Sequence, residues 1–171
     1  MVKLIGAIFI IVATTLTGFE ASRHFSDRPK QLRALRSALQ SLEAEIMYGH
    51  TPLHEAARRL AEQLSKPLST FFSTFSQKLM DTETTVKEAW QSSLKEVWNA
   101  TALKKAEFEI MKQFGETLGR HDRFSQQKQI MLTLSHLERE EAEAVQAQAK
   151  YEKMVKSLGF LSGLLLIILL F

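Results

Sequence analysis

Residues 32–56 read LRALRSALQSLEAEIMYGHTPLHEA. Leu32, Leu35, Leu39, Leu42 and Ile46 recur in steps of three and four, so they share one face of a helix, while Arg33, Arg36, Gln40 and Glu43 fall off that face. Asp27-Arg28-Pro29 opens the helix, with proline near its first turn, where the missing N–H costs nothing. Gly49 ends it. Thr51 and Pro52 restart the chain as N-cap and first helical position. Leu53, Ala56, Ala57, Leu60 and Leu64 then form the buried stripe of a second helix. The stretch is a helix, a tight corner and a helix.

The same period continues outward. Ser65–Pro67 breaks the chain, and Leu68, Phe71, Phe72, Phe75 and Leu79 line a third helix. A polar stretch from Asp81 follows. Val86, Ala89, Trp90, Leu94, Val97 and Trp98 make a fourth stripe, and Leu103, Ile110, Met111, Phe114 and Leu118 a fifth, with the boundary between them in the segment Asn99–Ala102. Residues 114–130, FGETLGRHDRFSQQKQI, read as a joint. Gly119 suits a left-handed helix end, Gly115 suits close backbone approach, and Asp122 suits an N-cap. From Asp122 to Leu158 there is neither glycine nor proline, so a sixth helix runs over roughly 50 Å. Ile130, Leu134 and Leu137 dock it on the bundle. Beyond them EREEAEAVQAQAKYEK carries small or polar side chains, suited to a solvated stalk. No alternating strand pattern competes, and with 7 glycines and 3 prolines among 171 residues the composition favours helix throughout.

Both ends are apolar. Leu4–Phe19 carries no charge and covers roughly 24 Å as a helix; the tail, counted back from Phe171 to Met154, covers roughly 27 Å, against about 30 Å for a bilayer core. A cleaved signal peptide is disfavoured, because cleavage after Ala21 or Gly18 would place Phe19 or Leu16 where a small residue is required. All 19 acidic residues and every basic residue except Lys3 lie between Glu20 and Ser157. Arg23, Arg28, Lys30, Arg33 and Arg36 follow the first apolar segment, and Lys150, Lys153 and Lys156 precede the second. By the positive-inside rule both flanks place the middle in the cytoplasm. The expected architecture is all-α: a transmembrane helix at 1–22, a six-helix cytoplasmic bundle with a long C-terminal stalk helix at 23–157, and a transmembrane helix at 158–171. Gly159 and Gly163 form a Gly-x-x-x-Gly pair suited to close helix packing in lipid.

The chemistry is thin. No cysteine is present, which excludes disulfides, thiolate metal sites and cysteine nucleophiles. No basic block is wide enough for a nucleic-acid footprint, so nucleic acid is not an expected partner. His50 and His54 are four apart, but Pro52 starts a helix between them, so they do not share a face, and a third ligand is missing. His121-Asp122 permits an alternative reading as a hydrolase, yet neither nucleophile nor oxyanion site accompanies it. Phe71, Phe72 and Phe75, like Trp90 and Trp98, sit at helical spacing and read as core rather than as stacking platforms. No phosphate-binding glycine loop is present. No catalytic, metal or cofactor-binding residue is expected.

The stretches GAIFIIVATTLTGFE, LRALRSALQSLEAEIMYGHTPLHEA, FGETLGRHDRFSQQKQI and KSLGFLSGLLLIILL closely resemble the stage III sporulation protein AB family of endospore-forming bacteria, in the same order and over essentially the whole chain. The resemblance implies a helical domain similar to the cytoplasmic domains of type II secretion and type IV pilus platform proteins. It also implies a non-enzymatic place in the sporulation complex that links mother cell and forespore, on the mother-cell side in the outer forespore membrane. The implied partners are other subunits of that complex, including a secretion-type ATPase and ring-forming subunits, and the lipid bilayer. In the segment most typical of the family, Glu43, Glu45 and Tyr48 are candidates for a partner surface, with Pro52 and Leu53 as structural support. The alternative is that these residues only fix a helix–turn–helix corner. Glu43 and Glu45 lie about 200° apart on a helix and cannot serve one surface together.

Overall fold

Leu32, Leu35, Ala38, Leu39 and Leu42 are all buried along one face of the first helix, α1, which occupies residues 26–48. The computed structural model describes residues 26–48, 51–81, 83–118 and 123–170. Five further helices follow: α2, Leu53–Gln63; α3, Leu68–Leu79; α4, Val86–Val97; α5, Lys105–Thr117; and α6, Arg123–Leu170. A single 3-10 turn, Trp98–Ala100, extends α4. The described residues contain no strand.

Each helix from α2 onward packs on its successor, α2 on α3, α3 on α4, α4 on α5 and α5 on α6. α1 lies antiparallel to α6, since Arg28 near its start reaches Glu140 while Glu43 near its end reaches Gln127. The apolar stripes converge on Trp90. Its ring meets Phe71, Phe75 and Phe114 at centroid distances of 4.9, 5.0 and 5.1 Å, edge to face in each case, a geometry worth roughly 0.5–1.5 kcal/mol per pair beyond area burial. The indole N–H donates to the Met111 carbonyl at 2.7 Å, so the one polar atom of this side chain is satisfied inside the core. An apolar gap between these helices, lined by Leu35, Leu68, Phe71, Trp98 and Met111 among others, holds about 10 Å³, at the lower limit of what one water needs. The core is filled.

Helix starts are set by local chemistry. Pro52 is the N-cap of α2, with an extended ψ of 146°, rather than its first residue; Leu53 takes that place. The Pro52 carbonyl accepts from the N–H groups of Glu55 and Ala56 at 3.0 and 3.1 Å, and no side chain caps this end. Proline tolerates the N-cap because that position needs no donated bond. Thr51, expected as the cap, is a bend one residue earlier. Thr85 starts α4 with a full capping box. Its hydroxyl accepts from the Glu88 N–H at 3.2 Å, and the Glu88 carboxylate accepts from the Thr85 N–H at 3.1 Å.

The longest departure from expectation is in α6. The segment 138–153 is not a solvated stalk from its beginning. Glu140, Glu141 and Ala144 are buried, and only beyond Ala144 is no described side chain buried. The helix has 48 residues, roughly 72 Å, and its backbone passes residue 158 without a break. Among the described residues no helix is long and apolar enough to cross a membrane. The Leu4–Phe19 segment lies outside the described residues, as do the surroundings of Gly159 and Gly163.

Candidate functional site

Three helices bring charged side chains together at the end of the bundle where α1 begins. Arg28 sits four residues before Leu32 and so prolongs the buried face of α1. Glu107 occupies the α5 stripe between Leu103 and Met111. Glu140 and Glu141 follow Leu137 on the docked face of α6. Each is a charged residue on an otherwise apolar seam.

Glu107 is completely buried, and its Oε1 accepts from Arg28 Nε at 2.8 Å and lies 2.6 Å from Nη2. Arg28 Nη2 also donates to Glu140 Oε2 at 3.0 Å. The other Glu107 oxygen accepts the backbone N–H of Lys104 at 2.8 Å, closing the start of α5. Arg28 thus joins α1, α5 and α6 through one guanidinium. Its Nη1 is buried without a hydrogen bond, and the nearest carboxylate, Glu143, is 3.7 Å away. A second layer flanks this centre: Arg36 donates to Glu141 at 2.6 Å and Arg33 to the same carboxylate at 3.1 Å, with Glu138 3.5 Å from Arg36. Desolvating such charges is costly, so the network adds little net stability over an apolar core of equal volume. Removing a single partner, however, strands a buried charge at roughly 3–5 kcal/mol. The arrangement therefore fixes the register of α6 against α1.

The residues singled out as a partner surface are dispersed. The Glu43 carboxylate accepts from Gln127 on α6 at 3.2 Å, and Glu45 lies 4.0 Å from Arg59 on α2. Both carboxylates face neighbouring helices. Tyr48 is 80% exposed, Pro52 is exposed, and Leu53 packs partly on the core. At the expected joint, Gly115 lies inside α5 and faces Trp90. A Cβ built there would collide with indole Cδ1, Cγ and Nε1. α5 closes at Leu118 with an extended ψ of 125°. Gly119, His121 and Asp122 lie outside the described residues, as do Gly49 and His50. His54 is partly buried, and its carbonyl accepts the Ser76 hydroxyl at 2.7 Å. Among the described residues no group of three or more His, Asp or Glu side chains is arranged to hold a metal ion.

Two surface carboxylates are perturbed by their neighbours. The Arg58 guanidinium, hydrogen-bonded at 2.9 Å, holds the Glu55 carboxyl below the usual range and is itself held protonated to higher pH. The backbone and hydroxyl of Thr85 lower Glu88 in the same way.

The family model described as Stage III sporulation protein AB (spore_III_AB) matches residues 3–171. The chain belongs to that family. It is 64% identical over 170 residues to Stage III sporulation protein AB of Bacillus subtilis (strain 168), with 99% of each chain covered. A solved structure of Stage III sporulation protein AB (SpoIIIAB) superposes with a TM-score of 0.71 at 60% identity, covering 72% of this chain and 98% of that one. The process served by the stage III sporulation protein AB family is sporulation, and the three-helix ionic clamp belongs to a member of it.

Proposed function

We propose that this protein is a non-enzymatic platform of the sporulation apparatus between mother cell and forespore. Its helical domain lies on the mother-cell side, held by the apolar segments at 1–22 and 158–171. It docks a secretion-type ATPase and supports ring-forming subunits. The observation that carries the reading is the family match through residues 3–171, which takes in both apolar ends together with the bundle. The fold is consistent with a mount. Its first and last helices are tied to each other by Arg28, Arg33 and Arg36, at the end of the bundle from which the chain runs on to both apolar segments. A rigid support needs that fixity more than it needs a reactive site.

Affinity purification of the detergent-solubilised protein from sporulating cells tests the proposal. The ATPase and other complex members are expected to co-purify, and reproducible absence of all of them overturns it. Protease added outside intact protoplasts is expected to leave the 23–157 domain uncut; its digestion would reverse the assigned side.

A further inference from the structure

We propose that the groove between the end of α4 and the start of α5 is a docking site for a short acidic segment of a partner protein carrying an aromatic or aliphatic side chain between carboxylates. The groove holds about 330 Å³ and is lined by Lys95, Trp98, Asn99, Lys105 and Phe108. Trp98 and Phe108 form its floor, edge to face with centroids 5.1 Å apart, both only partly buried. The lysines stand exposed on its rims. No carboxylate lines it.

Charge placement selects the occupant. The acidic side chains nearest in sequence are engaged elsewhere: Glu96 with Lys78 at 2.9 Å, Glu107 with Arg28 at 2.8 Å and Glu109 with Lys112 at 3.6 Å, while Glu143 of α6 lies 3.6 Å from Lys104. Lys95 and Lys105 have no ion-pair partner among the described residues, so both charges are free to meet a bound carboxylate. Trp98 Nε1 likewise donates to no described group, whereas the indole of Trp90 is satisfied. Two cations and an indole N–H around an apolar floor match a carboxylate beside an apolar side chain.

The site is also held in place before anything binds. The Trp98 carbonyl accepts both the Thr101 N–H at 2.9 Å and the Thr101 hydroxyl at 2.7 Å, and the Thr101 hydroxyl oxygen accepts from the Leu103 N–H at 3.3 Å. Gln31 of α1 accepts the Ala102 N–H at 2.8 Å, pinning the turn to the bundle. A fixed aromatic platform loses little side-chain entropy on binding. An anionic bilayer is the weaker candidate. Glu143, level with Lys104 on α6, precedes Leu158 by 15 residues, roughly 22 Å of helix, so lipid enclosing the apolar tail begins well away from these lysines. Setting the bilayer aside rests on the proposed lipid anchoring of the tail; the groove's own chemistry does not.

Selection of random short peptides on the full chain in detergent micelles, followed by fluorescence polarisation of the recovered sequences, tests it. Peptides with Asp or Glu flanking one Trp, Phe or Leu are expected. Their affinity should fall at least about tenfold in Lys95→Glu/Lys105→Glu and stay within about twofold in the charge-matched control Lys30→Glu/Lys66→Glu, both variants melting like the parent. If the reversals unfold the chain, Lys95→Gln/Lys105→Gln replaces them with the same expected loss. Recovery of no acidic sequences, or an equal loss in the control, overturns the proposal. So does displacement of the peptide by phosphatidylglycerol vesicles whose own binding is lost in the Lys95/Lys105 variant, which would assign the groove to lipid.

Discussion

Gly115 is the position where one missing atom decides the packing of the core. The Trp90 indole occupies the space a Cβ would take, while its N–H reaches the Met111 carbonyl one turn earlier on the same helix. Gly115→Ala is expected to cost about 1–3 kcal/mol by overpacking, although alanine is intrinsically the better helix former, and urea unfolding at fixed m-value measures it. Trp90→Phe gives up the hydrogen bond but makes room. The double variant should therefore be less destabilised than the sum of the singles, and strict additivity would show that the clash is absorbed elsewhere. Close approach at Gly115 was legible in the sequence, because a glycine amid helix formers needs a reason. That the approaching group is Trp90 was not, since nothing local links residues 25 positions apart. Glu107 teaches a complementary lesson. It occupies a core position of its stripe, and a carboxylate there signals a buried partner, but only the fold identifies that partner as Arg28.

Among the elements, the six helices followed from apolar spacing, and the errors arose where polar groups carry structure. The Thr85–Glu88 capping box, which apolar spacing does not reveal, marks the start of α4. Thr85→Ala should destabilise by about 1 kcal/mol, a melting shift of roughly 2–4 °C in a chain of this size. Glu88 adds a pH signature. Its folded-state pKa is depressed by the Thr85 backbone N–H and hydroxyl, so its contribution is fully present above the unfolded glutamate pKa of about 4.3 and disappears as pH falls through the lower folded value. The stability difference between wild type and Glu88→Gln should therefore shrink on acidification below about pH 4.3, and a difference unchanged down to pH 2 contradicts the assignment. The docking of α6 through Ile130, Leu134 and Leu137 was legible, but its continuation to Ala144 was missed because Glu140 and Glu141 look solvated when only apolar residues are counted as buried. Their seam becomes visible once Arg28, Arg33 and Arg36 are read as its complement. Glu107→Ala should cost about 3–5 kcal/mol in chemical denaturation, whereas Glu107→Leu with Arg28→Met and Glu140→Met, which leaves none of the three buried charges stranded, should recover most of it. Failure of that rescue would mean that the Lys104 N–H, not Arg28, is the partner that matters.

For the whole molecule, the decisive contrast is between the two parts of α6. Up to Ala144 the helix is a wall of the bundle; beyond it no described side chain is buried, so opening there uncovers little of the core. Limited trypsin treatment followed by mass spectrometry should cut α6 first at Lys150 or Lys153, with Lys128 and Arg139 protected until the bundle unfolds. Early cleavage at Arg139 would show that the acidic seam opens on its own. The family's process was readable from the sequence through its resemblance, whereas the Lys95–Lys105 groove was not, because it assembles from the ends of two helices whose boundary in Asn99–Ala102 no spacing could place. One mechanical consequence follows from the unbroken backbone of α6. With no proline between the Arg28 clamp and residue 170, and no glycine before Gly159, nothing on that path acts as a hinge. A partner that tilts the bundle therefore swings the far end of a lever more than twenty residues long, and a small rotation at the dock becomes a larger sweep at the tail.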